Sequence, residues 1–286
     1  MIITVPTNPN YASVNFRLAR NIAASRSVFT NKQRTQEYDA CYWTAQVTLP
    51  PMTRTDALEW TTFLTRLQGV KNTFLFGDPS HTTNLGTYND DHLATENRVN
   101  DTSETLSFTA STSTITAGTS IFTNTFVGDF IVVSGANNDD NNGTFKVTTK
   151  TSATAVVVDR TLVDESSTAS CKVRQNVKGA TGLSLTRVGS GAGTIKKGDY
   201  LAILDAAATT GDPVQYVMVV EDATASGTDY GVRIEPKLRA DITAGHYVKF
   251  ASAKGQFRLT SNEVSWSVDR ASVYGLSFMV TEVING

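Results

Sequence analysis

Residues 198–203 read GDYLAI, residues 214–250 read VQYVMVVEDATASGTDYGVRIEPKLRADITAGHYVKF, and residues 255–259 read GQFRL. Each is a short run of Val, Ile, Tyr and Phe cut by Gly, Asp, Ser or Pro. Branched and aromatic side chains fit a pleated, half-buried surface, and the cutting residues supply turn geometry. The pattern predicts consecutive β-strands joined by tight turns.

The N-terminal part repeats this pattern. Residues 13–29 begin with Val14, Phe16 and Leu18 alternating with Asn15 and Arg17, a half-buried strand by period. Residues 36–49 alternate more clearly and read as its partner. Between and within them lie Arg17, Arg20, Arg26, Lys32 and Arg34, with no acid from residue 11 to 36. Such a cluster is a solvated face or, more sharply, a subunit contact. Residues 54–68 read as a helix: Thr53 and Asp56 resemble a capping box, Ala57, Trp60, Phe63, Leu64 and Leu67 recur at helical spacing, and Gly69 supplies a stop. Residues 71–79, KNTFLFGDP, read as a strand and turn.

Residues 80–101 are polar and turn-rich, with Asn89, Asp90, Asp91 and Asn97. Residues 102–175 then change to Thr/Ser-rich runs (ETLSFTA, STITA, FVGDFIVVSG, GTFKVTT, TAVVVD, ASCKV) with turn signals about every ten residues, as in a small all-β module. After residue 176 the composition returns to that of the N-terminal part. The expectation is a discontinuous host domain, 1–101 and 176–286, carrying an inserted β domain at 102–175. The strands of 198–259 and the alternating runs ending in Val280 are expected to close an antiparallel sandwich or split barrel over the one helix. Val264, Trp266 and Val268, and likewise Tyr274, Leu276, Phe278 and Val280, are expected to face a core.

At 286 residues the chain is long enough for one large core or two medium ones. No apolar run approaches the roughly 20 residues of a membrane span. The start, MIITVPTNPN, lacks the features of a secretory signal, which predicts folding in the cytoplasm. A net charge of −2 gives no argument for nucleic acid or a membrane. Its distribution is uneven: residues 89–170 hold 11 acids and 4 bases, net −7, leaving 16 acids and 21 bases, net +5, elsewhere. Cys41 shares a strand face with Trp43, Ala45, Val47 and Leu49; both it and Cys171 read as free thiols.

Chemical motifs are weak. NNDDNNG at 137–143 aligns Asn138, Asp140 and Asn142 with a calcium loop, but Thr149 stands where a bidentate Glu belongs, and strands flank it. The competing reading is a two-residue hairpin turn at Asn142-Gly143. GSGAG at 189–193 leads into a strand, so a flexible linker is preferred over a phosphate loop. His81, His92 and His246 have no metal spacing. Asp199, Glu221, Asp222 and Glu235 offer carboxylates that flank turns. No catalytic residue, cofactor or metal ligand is therefore assigned, and no enzyme activity is expected.

The strings of 198–259, with the EPKLR exit at 235–239 and then GQFRL, resemble the C-terminal part of tail-tip proteins of tailed bacteriophages. Residues 53–79, TRTDALEWTTFLTRLQGVKNTFLFGDP, are similar to the opening domain of phage distal tail proteins. The resemblance implies a tail-tube-type fold, a β-sandwich flanked by one helix, that closes into a homo-oligomeric ring, a hexamer by family likeness. Implied partners are the tail tube protein, the tail hub or tip protein, and tail fibres. Implied location is the virion tail, assembled in the host cytoplasm. The insert resembles small β-modules that decorate tail proteins, some of which bind surface glycan. The rival reading is a carbohydrate- or receptor-binding β-sandwich, with Tyr200, Tyr216, Tyr230, Trp266 or Tyr274 as the sugar platform. A wall-degrading hydrolase would need an acid pair or zinc triad that the sequence does not assemble.

Overall fold

The computed structural model describes residues 1–88, 92–189, 193–206 and 211–284, and at Glu37 and Asp39 the backbone alone. Asn89, Asp90 and Asp91, and Ser190, Gly191 and Ala192 of the glycine-rich stretch, lie outside the described residues. The fold is mainly β, with one α-helix among the described residues. Residues Met1–His81, Pro213–Tyr216 and Ser252–Gly286 form one compact unit; Thr82–Asp212 and Val217–Ala251 form the other.

The first unit starts with β1 (Ile2–Ile3), β2 (Ser13–Arg26), β3 (Gln33–Thr48), α1 (Arg54–Leu67) and β4 (Thr73–Phe76). In α1 the expected stripe, Ala57, Trp60, Phe63, Leu64 and Leu67, is buried. Fully burying each large apolar side chain is worth about 1.5–3 kcal/mol. The capping box differs from expectation: the Thr53 hydroxyl donates to the Asp56 carboxylate at 2.9 Å and caps no backbone N–H. Gln68 turns left-handed at φ 52° and Gly69 follows at φ 66°, which ends the helix.

The second unit carries two closed six-stranded barrels. After β5 (His92–Thr95), one barrel is built from β6 (Asn100–Thr109), β7 (Thr114–Ala117), β8 (Phe130–Ser134), β9 (Gly143–Lys150), β10 (Ala155–Val158) and β11 (Glu165–Arg174), in the cyclic order β10-β7-β6-β11-β8-β9. Alternate residues of these strands, such as Leu106, Phe108, Ile115, Ile131, Phe145 and Val156, fill its interior. This barrel occupies the stretch expected as the inserted β domain. Its first and last strands pair with each other, Asn100 opposite Arg174.

The remaining strands are β12 (Gly182–Arg187), β13 (Thr194–Ile195), β14 (Tyr200–Leu204), β15 (Pro213–Val219), β16 (Ala223–Thr224), β17 (Asp229–Glu235), β18 (Tyr247–Lys249), β19 (Gly255–Leu259), β20 (Trp266–Val268) and β21 (Tyr274–Glu282). The second barrel runs β12-β17-β15-β14-β18-β5. The strands of 198–249 thus close on themselves and on β5, instead of joining the sheet of the helix-bearing unit as expected. Within the second unit the barrels meet backbone to backbone: a Cβ on Gly231 would stand 1.6 Å from the Gly128 carbonyl oxygen.

In the first unit the sheet order is β1-β4-β19-β21-β3-β2, with β20 beside β21. Val47 faces both Val14 on β2 and Phe278 on β21, and Phe16 stacks on Phe76 at 5.5 Å. The Glu282 carboxylate, buried in this sheet, accepts from Trp43 N at 3.1 Å and Tyr216 N at 3.0 Å. It satisfies two donors where residues 213–216 join β3. Cys41 and Cys171 are buried and neither is in a disulfide.

Candidate interaction surface

β2 and β3 make one long ribbon, paired from Ser13–Thr48 to Arg26–Gln33, with a register shift between Arg20 and Ile22. The alternation Val14, Phe16, Leu18 is half-buried, but every residue of β2 from Arg20 onward is exposed. Residues 27–32 turn the chain, held by Ser27 N to Lys32 O at 2.9 Å and Asn31 N to Ser27 O at 3.0 Å. At this tip Val28 is 91% and Phe29 98% exposed. Arg17, Arg20, Arg26, Lys32 and Arg34, the cations expected at a contact, are all exposed along this one ribbon. Sequence reading missed the tip because Val28 and Phe29 fall in the segment 13–29, which begins as a strand; the signal was Ser27 and Asn31 bracketing them as turn residues.

A second exposed apolar border lies at β20. Trp266 is 46% and Val268 50% exposed, against the expectation of a core face. Register does place them opposite Leu276 and Tyr274. Among the described residues, however, the strand pairs with β21 alone, so period 2 was right and burial was not.

The candidate chemical groups are dispersed or used structurally. In 137–143 the expected Asn142-Gly143 hairpin turn is not what forms: Asn142 is extended, at φ −96° and ψ 146°, and residues 139–141 make a 3-10 turn. Asn138 accepts from Asp140 N, and buried Asn141 donates to Val163 O at 3.0 Å and to Glu165 at 2.9 Å. The asparagines thus replace backbone partners for a loop longer than two residues. Glu165 also accepts from Asn137 N, Asn138 N and the Thr168 hydroxyl. Desolvation pushes its carboxyl up, but these hydrogen bonds outweigh it and hold the pKa at about 2. Among the described residues no cluster of three His, Cys, Asp or Glu side chains is placed to hold a metal ion.

Asp199, fully buried, accepts from Leu85 N at 2.6 Å and Lys196 N at 2.9 Å. Asp222 pairs with Lys196 at 2.7 Å, which lowers its pKa, and Glu221 pairs with Arg233 at 2.9 Å. Glu235 ends β17. Asp199 thus serves a turn, and Glu221 and Asp222 serve ion pairs. Of the proposed sugar platform, Tyr216 and Tyr230 are fully buried, so those five aromatics form no common exposed surface.

One cluster was invisible to sequence reading. Arg98, with 8% of its side chain exposed, donates to Asp229 at 2.6 Å, stands 3.7 Å from fully buried Asp129, and covers the Phe126 ring at 4.9 Å. The Ser184 hydroxyl also donates to Asp129. Burial pushes the Asp129 carboxyl up, against the pull of Ser184 and Arg98. The cluster ties Asp129, at the entry to β8 of the first barrel, to β12 and β17 of the second inside one unit; Asp129 is closed to solvent, whereas Asp229 keeps 27% of its side chain exposed.

No protein-family model matches the chain, and no curated protein is significantly similar to it.

Proposed function

We propose that this chain is a structural subunit of a phage tail tip: a ring at the distal end of the tail, joining tube to hub and fibres. The observation that carries the proposal is the β2–β3 ribbon. It holds five exposed cations and an apolar tip beyond the reach of its own core. A surface of that kind makes sense when a neighbour covers it. The mainly-β fold with a helix against a sheet, and the likeness of residues 53–79 and 198–259 to distal tail proteins, support the same reading. A hexamer is the ring order the likeness favours, with tail tube protein, hub or tip protein and fibres as neighbours. The barrel of residues 100–174 is the part assigned to the periphery, where a surface glycan is a fitting ligand.

The test is location. A map of the intact tail, or labelling of this chain in the virion, should place it around the tube axis at the tip. Finding it in the capsid, or on a fibre remote from the axis, refutes the proposal.

A further inference from the structure

Three strands of the helix-bearing sheet have one partner only among the described residues; β1, paired with β4, is two residues long, which leaves β2 and β20 as the borders long enough to add a strand. β2 pairs with β3 alone, and β20 with β21 alone. β2 lies on the β3 side of β21, and since Met52 bridges Tyr274 from that side, β20 pairs with β21 from the other. Beyond Arg20 the ribbon has no sheet beneath it, and a two-stranded ribbon is marginal in water until a third strand joins. At the other border the β20 edge presents an indole and a valine to solvent.

Charge decides between partners. Residues 13–36 hold five cations and no acid, with Glu37 and Asp39 following in β3. Pairing β2 with β2 of another copy would bring two such ribbons together and set like charges face to face. Residues 260–269 hold Glu263 and Asp269 and no base, with Arg258 and Arg270 just outside. That stretch with its flanks carries no net charge, and its exposed Trp266 suits guanidinium groups, which stack on indole faces.

We propose that the sheet continues from copy to copy: the free edge of β2 in one chain pairs with the free edge of β20 in the next. The inference rests on the self-assembly in the proposed function and names its contact. Because the two edges differ, the contact is head-to-tail. It closes as a ring when the rotation per step divides the circle, and otherwise grows as a filament.

Ser25→Cys in β2 and Ser267→Cys in β20, both exposed, provide the test; native Cys41 and Cys171 are buried at 4% and 0% exposure. The two variants are purified separately, mixed at millimolar concentration and treated with a bis-maleimide linker, which tolerates a shift of register. The expected product is a covalent dimer in the mixture well above the level in either variant alone. A dimer of Ser25→Cys with itself overturns the inference, as does the absence of a mixed dimer. Trp266→Ala should fold normally by circular dichroism and weaken self-association about tenfold; unchanged association also overturns it. Rings seen by electron microscopy without the mixed dimer would leave the ring standing and remove this contact. Mixed dimers in open filaments would do the reverse.

Discussion

Trp60 is fully buried, and its indole N–H has no hydrogen-bond partner. Its worth is packing, against Phe63 at 5.9 Å and Tyr11 at 5.7 Å. Trp60→Ala should cost about 3–5 kcal/mol in urea unfolding. Trp60→Phe should cost clearly less than its lost volume suggests, because it also removes an unsatisfied donor. Arg98 has the opposite character: its value lies in pairing. Arg98→Ala leaves Asp129 buried without its cation and should destabilise by about 3–5 kcal/mol. Equal stability of wild type and variant would show the cluster to be solvated. Glu165 titrates low when folded, so its contribution is complete above the ordinary carboxylate pKa of about 4.3 and is lost as pH falls toward 2. Protection of the Asn137 and Asn138 amides, relative to their unstructured exchange rates, should fall as pH drops through that window, and in Glu165→Gln it should be low at every pH.

Among the elements, α1 and the six strands of the first barrel were legible, because periods of 3.6 and 2 are local properties. Sheet membership was not. The four residues of β5 close a barrel whose other strands lie after residue 181, a pairing no local pattern encodes. Likewise Trp266 has the alternation of a core strand, yet all three residues of β20 are exposed on a strand that pairs with β21 alone among the described residues. The ionic cluster at Arg98 was hidden for the same reason: its carboxylates, Asp129 and Asp229, come from distant turns and strands. The Asn-rich loop was legible as a turn but not as its kind, since Glu165, its anchor, comes from another strand. The first barrel has its own core, from Val99 to Val173. A fragment of residues 98–174 should therefore fold alone, with a β-type circular dichroism spectrum and a cooperative melt. A fragment lacking both would make the barrel dependent on the rest of its unit.

For the whole molecule, charge is the long-range property. A stretch of net −7 and a remainder of net +5 in one chain would make the proposed self-association sensitive to ionic strength, since salt shortens the reach of exposed charges to about 8 Å at physiological strength. Association measured by sedimentation should weaken as salt rises; an increase would mean that apolar edges alone drive it. The pairing of Asn100 with Arg174 bears on a different question, that of descent. Chain entry and exit sit side by side in one ladder, so the strands before and after experience roughly seventy intervening residues as a loop of almost no span. Recombination that exchanged this coding segment for another of any length would ask nothing new of the flanking backbone, apart from a carboxylate to meet Arg98. Lineages are thus expected to diverge fastest here, trading whole modules while the surrounding frame is kept.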